Sequence, residues 1–462
     1  MSNGNRLILL EFNELTPRLM ARFIDEGVLP NFARLRRESA TFLTDAGEDP
    51  PNLEPWIQWV TVHCGVPFSE HGVVNLGDAN QAAVPRIWEV ISAGGGTVWV
   101  CGSMNASYNG HVQGLVLPDP WSVHVRPSDA ELAPYFDFVR AHVLEYTRER
   151  VPLGVRQYLS FGWFMLRHGL SMGTVVAAAR QLLSELFGKT KWRRATTLDR
   201  LQFDVFRHYY RRLRPVFSTY FINSTAHFQH VYWRNLEPAR FELKPSESDQ
   251  RLHGEAVRYG YRCMDVLVKK VLAMAGDEAT IVFATALSQQ PCLKYESVGG
   301  KTFHKPHRFD RLLQIAGIDP QNCTAEPVMS EEFHLRFADP AMAERARTQL
   351  LQLRLGEESV VHANVRGRDV MAGCSVFHEV PPGSQVAGPG GVVAFDSLFY
   401  AVDTTKSGMH HREGMLWIRP PGGVSGRAAA GHVPLESLAP TMLSLLGVRP
   451  AAPMKGSVLP GF

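Results

Sequence analysis

Short apolar runs alternate with segments of helical periodicity along the first part of the chain. The run "RLILLEF" at residues 6–12 predicts a buried β-strand, and "LTPRLMARFIDEG" after it predicts a helix with one apolar side. Further on, "VPRIWEVISAGG" predicts a helix ended by glycines, and "GTVWVCG" predicts the next strand. This alternation indicates a parallel sheet with helices on both faces. Such sheets bind ligands at the carboxyl ends of their strands, so the residues after "RLILLEF" are candidates for a site.

The alternation is interrupted twice along the chain. We therefore predict an α/β sandwich around a mostly parallel sheet, with a helical insertion and a small α+β insertion, for which 462 residues suffice. The Pro/Gly-rich stretch "EVPPGSQVAGPGG" predicts a linker back to the core. The predicted segments are the first part of the α/β core at 1–125, the mainly helical insertion at 126–214, the second part of the core at 215–300, the small insertion and linker at 301–390, and the C-terminal part of the core at 391–462.

The helical insertion contains two apolar segments, "APYFDFVRAHVLEYTRER" and "RQYLSFGWFMLRHGLSMGTVVAAARQLLSELFG". A basic cluster follows the second segment, with Lys189, Lys191, Arg193 and Arg194. One interpretation makes residues 155–195 an amphipathic element that contacts a membrane surface. The other makes them a helical insertion packed on the core, with a solvated basic turn.

Composition narrows the classes of function. The net charge of +3 gives no global signal for nucleic-acid binding, and neither a nucleic-acid-binding motif nor a Gly-rich nucleotide fingerprint is present. The six cysteines are scattered without a CxxC pair, which argues against a disulfide framework and a thiolate zinc site. The N-terminus lacks the pattern of a signal peptide. We therefore expect a cytoplasmic protein, which lies at the inner face of the membrane if 155–195 contacts lipid. The sequence does not determine the oligomeric state.

Four parts of the chain, in order, carry a family resemblance. They read "GVLPNFARLRRESA", "EPWIQWVTVHCGVPFSEHGV", "YFINSTAHFQHVYW", and finally "SGMHHREGMLWI" with "LESLAPTMLSLLGV". In these segments the chain resembles the alkaline phosphatase superfamily, in its type I phosphodiesterase/nucleotide pyrophosphatase branch. The resemblance spans most of the chain outside the two insertions. It implies an alkaline-phosphatase-like sandwich and, in ordinary members, two metal ions, usually zinc, beside a Thr or Ser nucleophile.

Residue by residue, this chain departs from the family pattern. The first-strand aspartate of the family corresponds to Asn13, and the nucleophile corresponds to Glu54. The aspartate before the helical histidine corresponds to Ala226, and the "SDHG" motif corresponds to "TALS". Since alanine and leucine bind no metal, the usual two-metal centre is not expected. The resemblance thus implies a divergent member with most metal ligands replaced.

The histidines that persist leave room for one divalent metal, zinc or manganese. His227 and His230 are three residues apart on one face of a predicted helix. His410 or His411 would join them from a distant loop, as in three-histidine catalytic zinc sites. The alternative is that His227 lies at the surface, His230 lies in a polar pocket, and no metal binds.

Glu54 has three interpretations. A carboxylate at a helix N-terminus stays ionised, which suits a nucleophile or general base. It could also ligate a single metal, or cap the helix before Pro55. Asn13 and Glu14 follow the first strand; Asn13 could hydrogen-bond substrate, and Glu14 could form a catalytic carboxylate pair with Glu54.

The remaining polar positions are candidates for substrate binding, or else ordinary core and loop residues: Gln58, His63, Asn105, Gln289, His411 and Arg412. The sequence favours a divergent hydrolase or transferase acting on a phosphoester or glycosyl-phosphate, in cell-surface polysaccharide metabolism if the substrate is a lipid-linked glycan. The alternatives are metal-independent glycosyl or phosphoglycosyl transfer or hydrolysis by Glu54, and an inactive binding protein with a degenerate site.

Overall fold

The computed structural model describes residues 5–122, 124–144, 153–298, 300, 302–326, 332–402, 406–423 and 427–462. Twenty strands are present in these ranges: β1 Arg6–Phe12, β2 Ala40–Asp45, β3 Val98–Cys101, β4 Gly114–Leu117, β5 Phe217–Ile222, β6 Ala279–Ala284, β7 Ser288–Pro291, β8 Phe303–Pro306, β9 Cys323–Glu326, β10 Phe333–Phe337, β11 Arg354–Leu355, β12 Glu358–Ser359, β13 Val361–Arg366, β14 Asp369–Cys374, β15 Gln385–Gly388, β16 Gly391–Ala394, β17 Phe399–Val402, β18 Gly408–His411, β19 Glu413–Arg419 and β20 Arg427–Pro434.

Helices of very different length connect these strands. Within the described ranges the α-helices are α1 Pro17–Asp25, α2 Pro30–Arg37, α3 Pro55–Cys64, α4 Phe68–His71, α5 Ile87–Ala93, α6 Ala133–Leu144, α7 Val155–Arg167, α8 Met172–Phe187, α9 Ala195–Leu213, α10 Ser224–Leu236, α11 Glu247–His253, α12 Ala256–Ala275, α13 Phe309–Ile315, α14 Pro340–Leu350, α15 Phe395–Leu398 and α16 Leu438–Leu445.

An eight-stranded sheet forms the centre of the molecule, in the order β20-β2-β19-β6-β1-β5-β3-β4. Strand β1 pairs in parallel with β5 on one side and with β6 on the other. Strand β19 pairs in antiparallel fashion with its neighbours β2 and β6. The predicted mixed α/β fold with a mostly parallel central sheet is confirmed.

Helices cover both faces of this sheet. Side chains of β1 point alternately to the two faces and are buried in two separate apolar cores. Leu7 and Leu9 pack with residues of α3, α5 and α16. Ile8 and Leu10 belong to the opposite core, with residues of α1, α2, α9 and α12. This two-sided burial explains why the first strand is an almost continuous apolar run.

A third apolar core lies in the region predicted as the small insertion. Its sheet has the order β13-β14-β10-β9, and α14 packs against it. The Pro/Gly-rich stretch contains β15 and the first residue of β16, which pair as an antiparallel hairpin. Its glycines serve the turn of that hairpin as well as they would serve a linker. The predicted domain boundaries at 125, 214, 300 and 390 stay predictions.

The helical insertion consists of separate helices where it is described. The second apolar segment is two helices, α7 and α8, separated at His168–Ser171, and the predicted extension of α6 to residue 150 lies outside the described residues. Of the large apolar side chains of α7, Phe164 and Met165 are buried, while Leu159 and Trp163 are exposed. Packing on the core therefore accounts for only part of this hairpin. None of the helices in the described ranges has the length and apolar character needed to cross a bilayer.

Candidate functional site

A cluster of polar side chains lies at the carboxyl edge of the central strands. Asn13 and Glu14 directly follow β1, and α10, which carries His230, begins two residues after β5. After β6 the chain turns into β7, whose Gln289 is paired in register with His410 of β18. The edge thus brings together four segments that are far apart in sequence, at the position expected for a parallel sheet.

Glu14, His230 and His410 form the centre of this cluster. Oε2 of Glu14 lies 2.9 Å from Nε2 of His230 and 3.5 Å from Nε2 of His410. One potential ligand atom from each of the three residues lies within 4.8 Å of the other two. Glu14 is almost fully buried, whereas the two imidazoles are partly open to solvent.

Backbone carbonyls fix the orientation of both imidazoles. Nδ1 of His230 lies 3.1 Å from the carbonyl oxygen of Gly408, and Nδ1 of His410 lies 2.9 Å from that of Leu53. Because a carbonyl oxygen only accepts hydrogen bonds, both Nδ1 atoms donate, and both Nε2 atoms are turned towards Glu14. Metal-binding histidines are commonly oriented in this way.

The electrostatics of the cluster call for a cation. Burial by itself raises the pKa of the Glu14 carboxyl, but the neighbouring His410 and His230 and a hydrogen bond from Gln289 outweigh it and lower the pKa to about 2. Burial lowers the pKa of His410 to about 4, against the attraction of Glu14. An ionised carboxylate therefore faces the lone pair of a neutral imidazole near neutral pH. A metal ion between the carboxylate and the imidazole would relieve this contact.

One carboxylate oxygen and two imidazole nitrogens make a donor set that fits one divalent ion. Glu14 supplies oxygen and the histidines supply imidazole nitrogen, which are the ligand types of catalytic zinc sites with three protein ligands. Among the described residues, this is the one group of at least three such side chains that could hold a metal. The fit supports a single-metal site built on Glu14, which the sequence suggests as a catalytic residue and not as a ligand.

Strained backbone accompanies the cluster. Glu14 has a φ of 61°, and Ala286, which follows β6, has a φ of 56°. Such left-handed conformations cost non-glycine residues on the order of 1–3 kcal/mol and tend to occur at functional sites. The Nε2 group of Gln229 donates to the carbonyl oxygen of Glu14 at 2.7 Å, which holds this turn in place.

Glu54 lies beside the cluster at the N-cap position of α3. Its side chain makes no capping hydrogen bond, so the structure offers no support for the cap interpretation. Oε2 of Glu54 lies 3.4 Å from Nδ1 of His410, and about a third of the side chain is exposed. Glu54 is thus a partly exposed carboxylate next to His410.

Asn13 lies behind Glu14 and not at the surface of the site. Its Nδ2 group donates to Glu14 at 2.7 Å and to Oδ1 of Asn223 at 2.8 Å. Its Oδ1 accepts the indole N–H of Trp59 at 2.8 Å. Through its amide, Asn13 therefore orients Glu14 from inside the protein.

His227 does not belong to the cluster. It is exposed on α10, whereas His230 faces Glu14. The predicted set of three histidines is therefore replaced by two histidines and Glu14. The side chains of Ala226, Ala286 and Leu287 are buried in the protein.

Three of the predicted substrate-binding residues are interior residues. His63 is 1% exposed and its Nε2 lies 2.7 Å from Oε1 of Glu11, within a core of apolar side chains. The buried side chain of Gln58 donates to the carbonyl of Asn52. Asn105 accepts the backbone N–H of Gly77 at 2.9 Å. These polar groups organise the turns around α3, because buried polar atoms need partners.

The other three candidates differ among themselves. Gln289 is buried and donates from Nε2 to Glu14 and to the carbonyl of Ala226, so it supports the cluster from behind. Strand alternation turns His411 away from the side taken by His410. Arg412 forms a bidentate ion pair with Asp45 at 2.7 and 3.0 Å on the surface.

Sequence reasoning missed two supporting residues. Gln229 lies inside the motif "HFQH" but is not a metal-ligand type, so the motif directs attention to its histidines. Gly408 lets β18 approach α10 closely, because a Cβ atom there would lie 2.4 Å from Oε1 of Gln289 and 2.6 Å from the carbonyl oxygen of Gln229. The glycine immediately before "MHH" is the available signal.

Comparison with known proteins finds similar solved structures but no match in sequence to a protein family or a curated protein. No protein-family model matches the chain, and no curated protein matches it. Human ectonucleotide pyrophosphatase/phosphodiesterase 5 aligns with 98% of this chain and 97% of its own, at 10% identity and a TM-score of 0.44. The murine protein aligns over the same shares at 8% identity and a TM-score of 0.41, and its inactive form in complex with AMP does so at 8% and 0.42. Similarity at this level bears on neither the substrate nor the site residues.

Proposed function

We propose that this protein is a phosphoester hydrolase with a single divalent metal, zinc or manganese, held by Glu14, His230 and His410. The observation that carries the proposal is the convergence of both Nε2 atoms on one ionised carboxylate. A divalent ion supplies Lewis-acid polarisation of a phosphoryl oxygen when bound. The motif resemblance to the alkaline phosphatase superfamily supports the substrate class, and the changes at Asn13, Ala226 and the "TALS" loop support a divergent, one-metal member.

Glu54 takes the role of general base or nucleophile in this proposal. Its position at the start of α3 favours the ionised form, because the helix N-terminus carries partial positive charge. Its partial exposure lets it meet a substrate. His410 lies between Glu54 and Glu14, with one ring nitrogen near each carboxylate, and keeps the two like charges apart. Asn13 and Gln289 hold Glu14 in place.

The position of His410 between Glu54 and Glu14 also favours one alternative function. Two carboxylates on opposite sides of one imidazole also suit metal-independent transfer or hydrolysis of a glycosyl-phosphate, with Glu54 and Glu14 in the roles of a carboxylate pair. A role in cell-surface polysaccharide metabolism would follow from such a substrate. In this alternative, removal of metal leaves the activity unchanged.

A metal-exchange experiment distinguishes the two. The purified protein is stripped with a chelator, reloaded with zinc or manganese, and assayed on bis-p-nitrophenyl phosphate and on a panel of glycosyl phosphates. We expect one equivalent of metal per chain, and phosphodiesterase activity that is lost with the metal and returns on reloading. Activity that is indifferent to the chelator would favour the alternative. A chain that neither binds metal nor turns over any substrate would favour a binding protein.

Substitution of Glu54 by Gln tests its role separately. Loss of a general base lowers the rate by roughly 10²–10⁴-fold, and we expect metal content to stay as in the parent protein. Asp49→Asn is the matched control, since Asp49 is an exposed carboxylate of the same loop. Equal turnover by Glu54→Gln and Asp49→Asn on a responsive substrate would remove Glu54 from catalysis.

A further inference from the structure

The hairpin of α7 and α8 exposes an unusual amount of apolar surface. Of the seventeen large hydrophobic side chains that are exposed among the described residues, twelve lie on these two helices. On α7 they recur at Val155, Leu159, Trp163 and Leu166, which is one helical face. Patches of this kind on a soluble protein mark surfaces that meet another apolar phase.

The face of α8 continues the same surface. Its exposed large apolar side chains lie near both ends of the helix, and the last two, Leu186 and Phe187, are 77% and 89% exposed. Thr174 is the buried residue of this helix. The apolar side of α8 is therefore turned outwards, the reverse of a helix that packs on a core.

Basic residues accompany this apolar face almost without acidic ones. Residues 153–194 contain seven lysines and arginines, Arg156, Arg167, Arg180, Lys189, Lys191, Arg193 and Arg194, and a single acidic residue, Glu185. Glu185 is already paired with Arg194. The guanidinium of Arg167 lies 5.6 Å from the centre of the Trp163 ring, a pairing of a cation with an exposed aromatic side chain. The partner of this surface must therefore be both apolar and anionic.

A groove beside α8 adds positions for anionic groups. It has a volume of about 700 Å³ and is lined by apolar Met172 and Val176 together with Arg180, Arg193 and Arg200. The Nε of Arg193 is buried and has no hydrogen-bond partner among the described residues. A groove lined by both apolar side chains and arginines matches the boundary between acyl chains and phosphate head groups.

We propose that the α7–α8 hairpin docks on the surface of an anionic lipid bilayer. Helices of 13 and 16 residues are too short to span a bilayer but suit the interfacial position, with their apolar face in the acyl boundary and their basic residues at the lipid phosphates. A protein partner would need an apolar groove lined with carboxylates, whereas an anionic membrane offers both features without a specific fit.

The docking surface is joined to the candidate site through α10. Trp192, in the basic turn after α8, packs at 5.7 Å against Phe228 and at 6.0 Å against Tyr232, measured between ring centroids. His230 lies between these two residues on the same helix. The inference does not depend on the metal or on the proposed reaction, but it would bring membrane-borne phosphoesters near the site.

Vesicle flotation of the full-length protein tests the proposal. We expect the protein to float with vesicles of phosphatidylglycerol and phosphatidylcholine, to float poorly with phosphatidylcholine alone, and to be released as salt is raised. Reversal of Lys189 and Lys191 to Glu should lower the partition coefficient roughly fivefold or more for each residue. Arg251→Glu, an exposed basic residue on α11, is the control for charge.

A second variant tests the apolar contribution. We expect the double substitution L186E/F187E to lower the partition coefficient at least about tenfold, because two acyl-contacting side chains become anionic. Val392→Glu, an exposed apolar position on β16, should leave it unchanged. An unchanged thermal midpoint of each variant shows that folding is preserved, and the salt and lipid dependence of the parent protein decides the matter if L186E/F187E does not fold.

Three outcomes would overturn the proposal. The first is no recovery with anionic vesicles. The second is equal, salt-insensitive binding to phosphatidylcholine alone, which removes the assignment to anionic lipid. The third is a dimer in analytical ultracentrifugation that dissociates in L186E/F187E without any flotation of the parent protein, which would make a second copy of this chain the occupant of the surface.

Discussion

Two glutamates at the end of β1 meet histidines in very different surroundings. Glu11 pairs with His63 at 2.7 Å, and both side chains are at most 1% exposed. The His63 ring lies between Trp59 and Trp88, with centroid distances of 5.9 and 4.9 Å. Three residues on, Glu14 meets His230 and His410, whose side chains are 27% and 18% exposed. The first pair is closed off by tryptophans, and the second is open.

The backbone explains the difference. Glu11 is still within the strand, so its side chain points across the sheet into the core shared with α3. Glu14 follows the strand in a left-handed conformation that places its carboxylate at the edge of the sheet. The carboxylate–histidine contact of Glu11 is therefore a structural feature inside the protein. The contacts of Glu14, at the end of the strand, form a candidate ligand site. The comparison predicts that changes at the first pair reduce stability, and changes at the second reduce metal binding.

The largest effect is expected for Glu14→Gln. The substitution keeps the size of the side chain but removes the charge that draws a cation between the imidazoles. We expect metal affinity to fall by more than the roughly 10–100-fold typical of residues that only orient a ligand, with loss of activity. Isothermal titration with zinc and manganese measures the affinity. A Gln variant that binds metal like the parent would remove Glu14 from the ligand set.

His63→Ala should reduce stability and leave metal affinity unchanged. It leaves Glu11 buried without its partner and opens a gap between two tryptophans, which we expect to lower the free energy of unfolding by about 3–5 kcal/mol. Chemical denaturation measures this loss, and metal affinity of the folded fraction should stay unchanged. His63→Gln, which keeps a hydrogen-bond donor, should be less destabilising. A loss of metal affinity in a stably folded His63 variant would contradict the purely structural role of the Glu11–His63 pair.

Gln289→Ala gives an intermediate effect. Gln289 donates to Glu14 but does not itself reach the space between the histidines. We expect metal affinity to fall roughly 10–100-fold, as for other residues that hold a ligand in place. Gln290→Ala is the matched control, because its side chain donates to the backbone carbonyl of His410, at 3.5 Å, and not to Glu14. Equal affinities of the two variants would contradict the role given to Gln289.

The smallest effect is expected for the pH dependence of stability, which depends on a second buried histidine, His71. Burial, with the positive charge of Arg86, lowers the pKa of His71 from 6.5 to about 4. Between these values the unfolded chain binds a proton that the folded chain does not, so stability should fall as pH drops from 6.5 towards 4. The slope is at most about 1.4 kcal/mol per pH unit. The difference in unfolding free energy between the parent and His71→Asn measures it, and a difference independent of pH would contradict the assignment.

The sequence predicts the fold better than the site. Buried parallel strands require continuous apolar runs, and "RLILLEF" and the helix before Gly447 satisfy simple periodicities. The candidate residues Glu14, His230 and His410 can be named from residue type and motif. Their grouping cannot, because it depends on how β18 pairs with β7 and on the left-handed turn at Glu14. His63 and Asn105 look like site residues in sequence because polarity alone does not reveal burial.

By itself, the sequence determined the alternation of strands and helices and the two-sided apolar burial of the central sheet. Only the tertiary structure decided that Glu14 takes the place expected for His227, and that the apolar face of α7 and α8 is turned towards solvent. The physical reason is the same in both cases. Periodicity fixes which side of an element a residue occupies, but what that side meets depends on contacts between segments far apart along the chain.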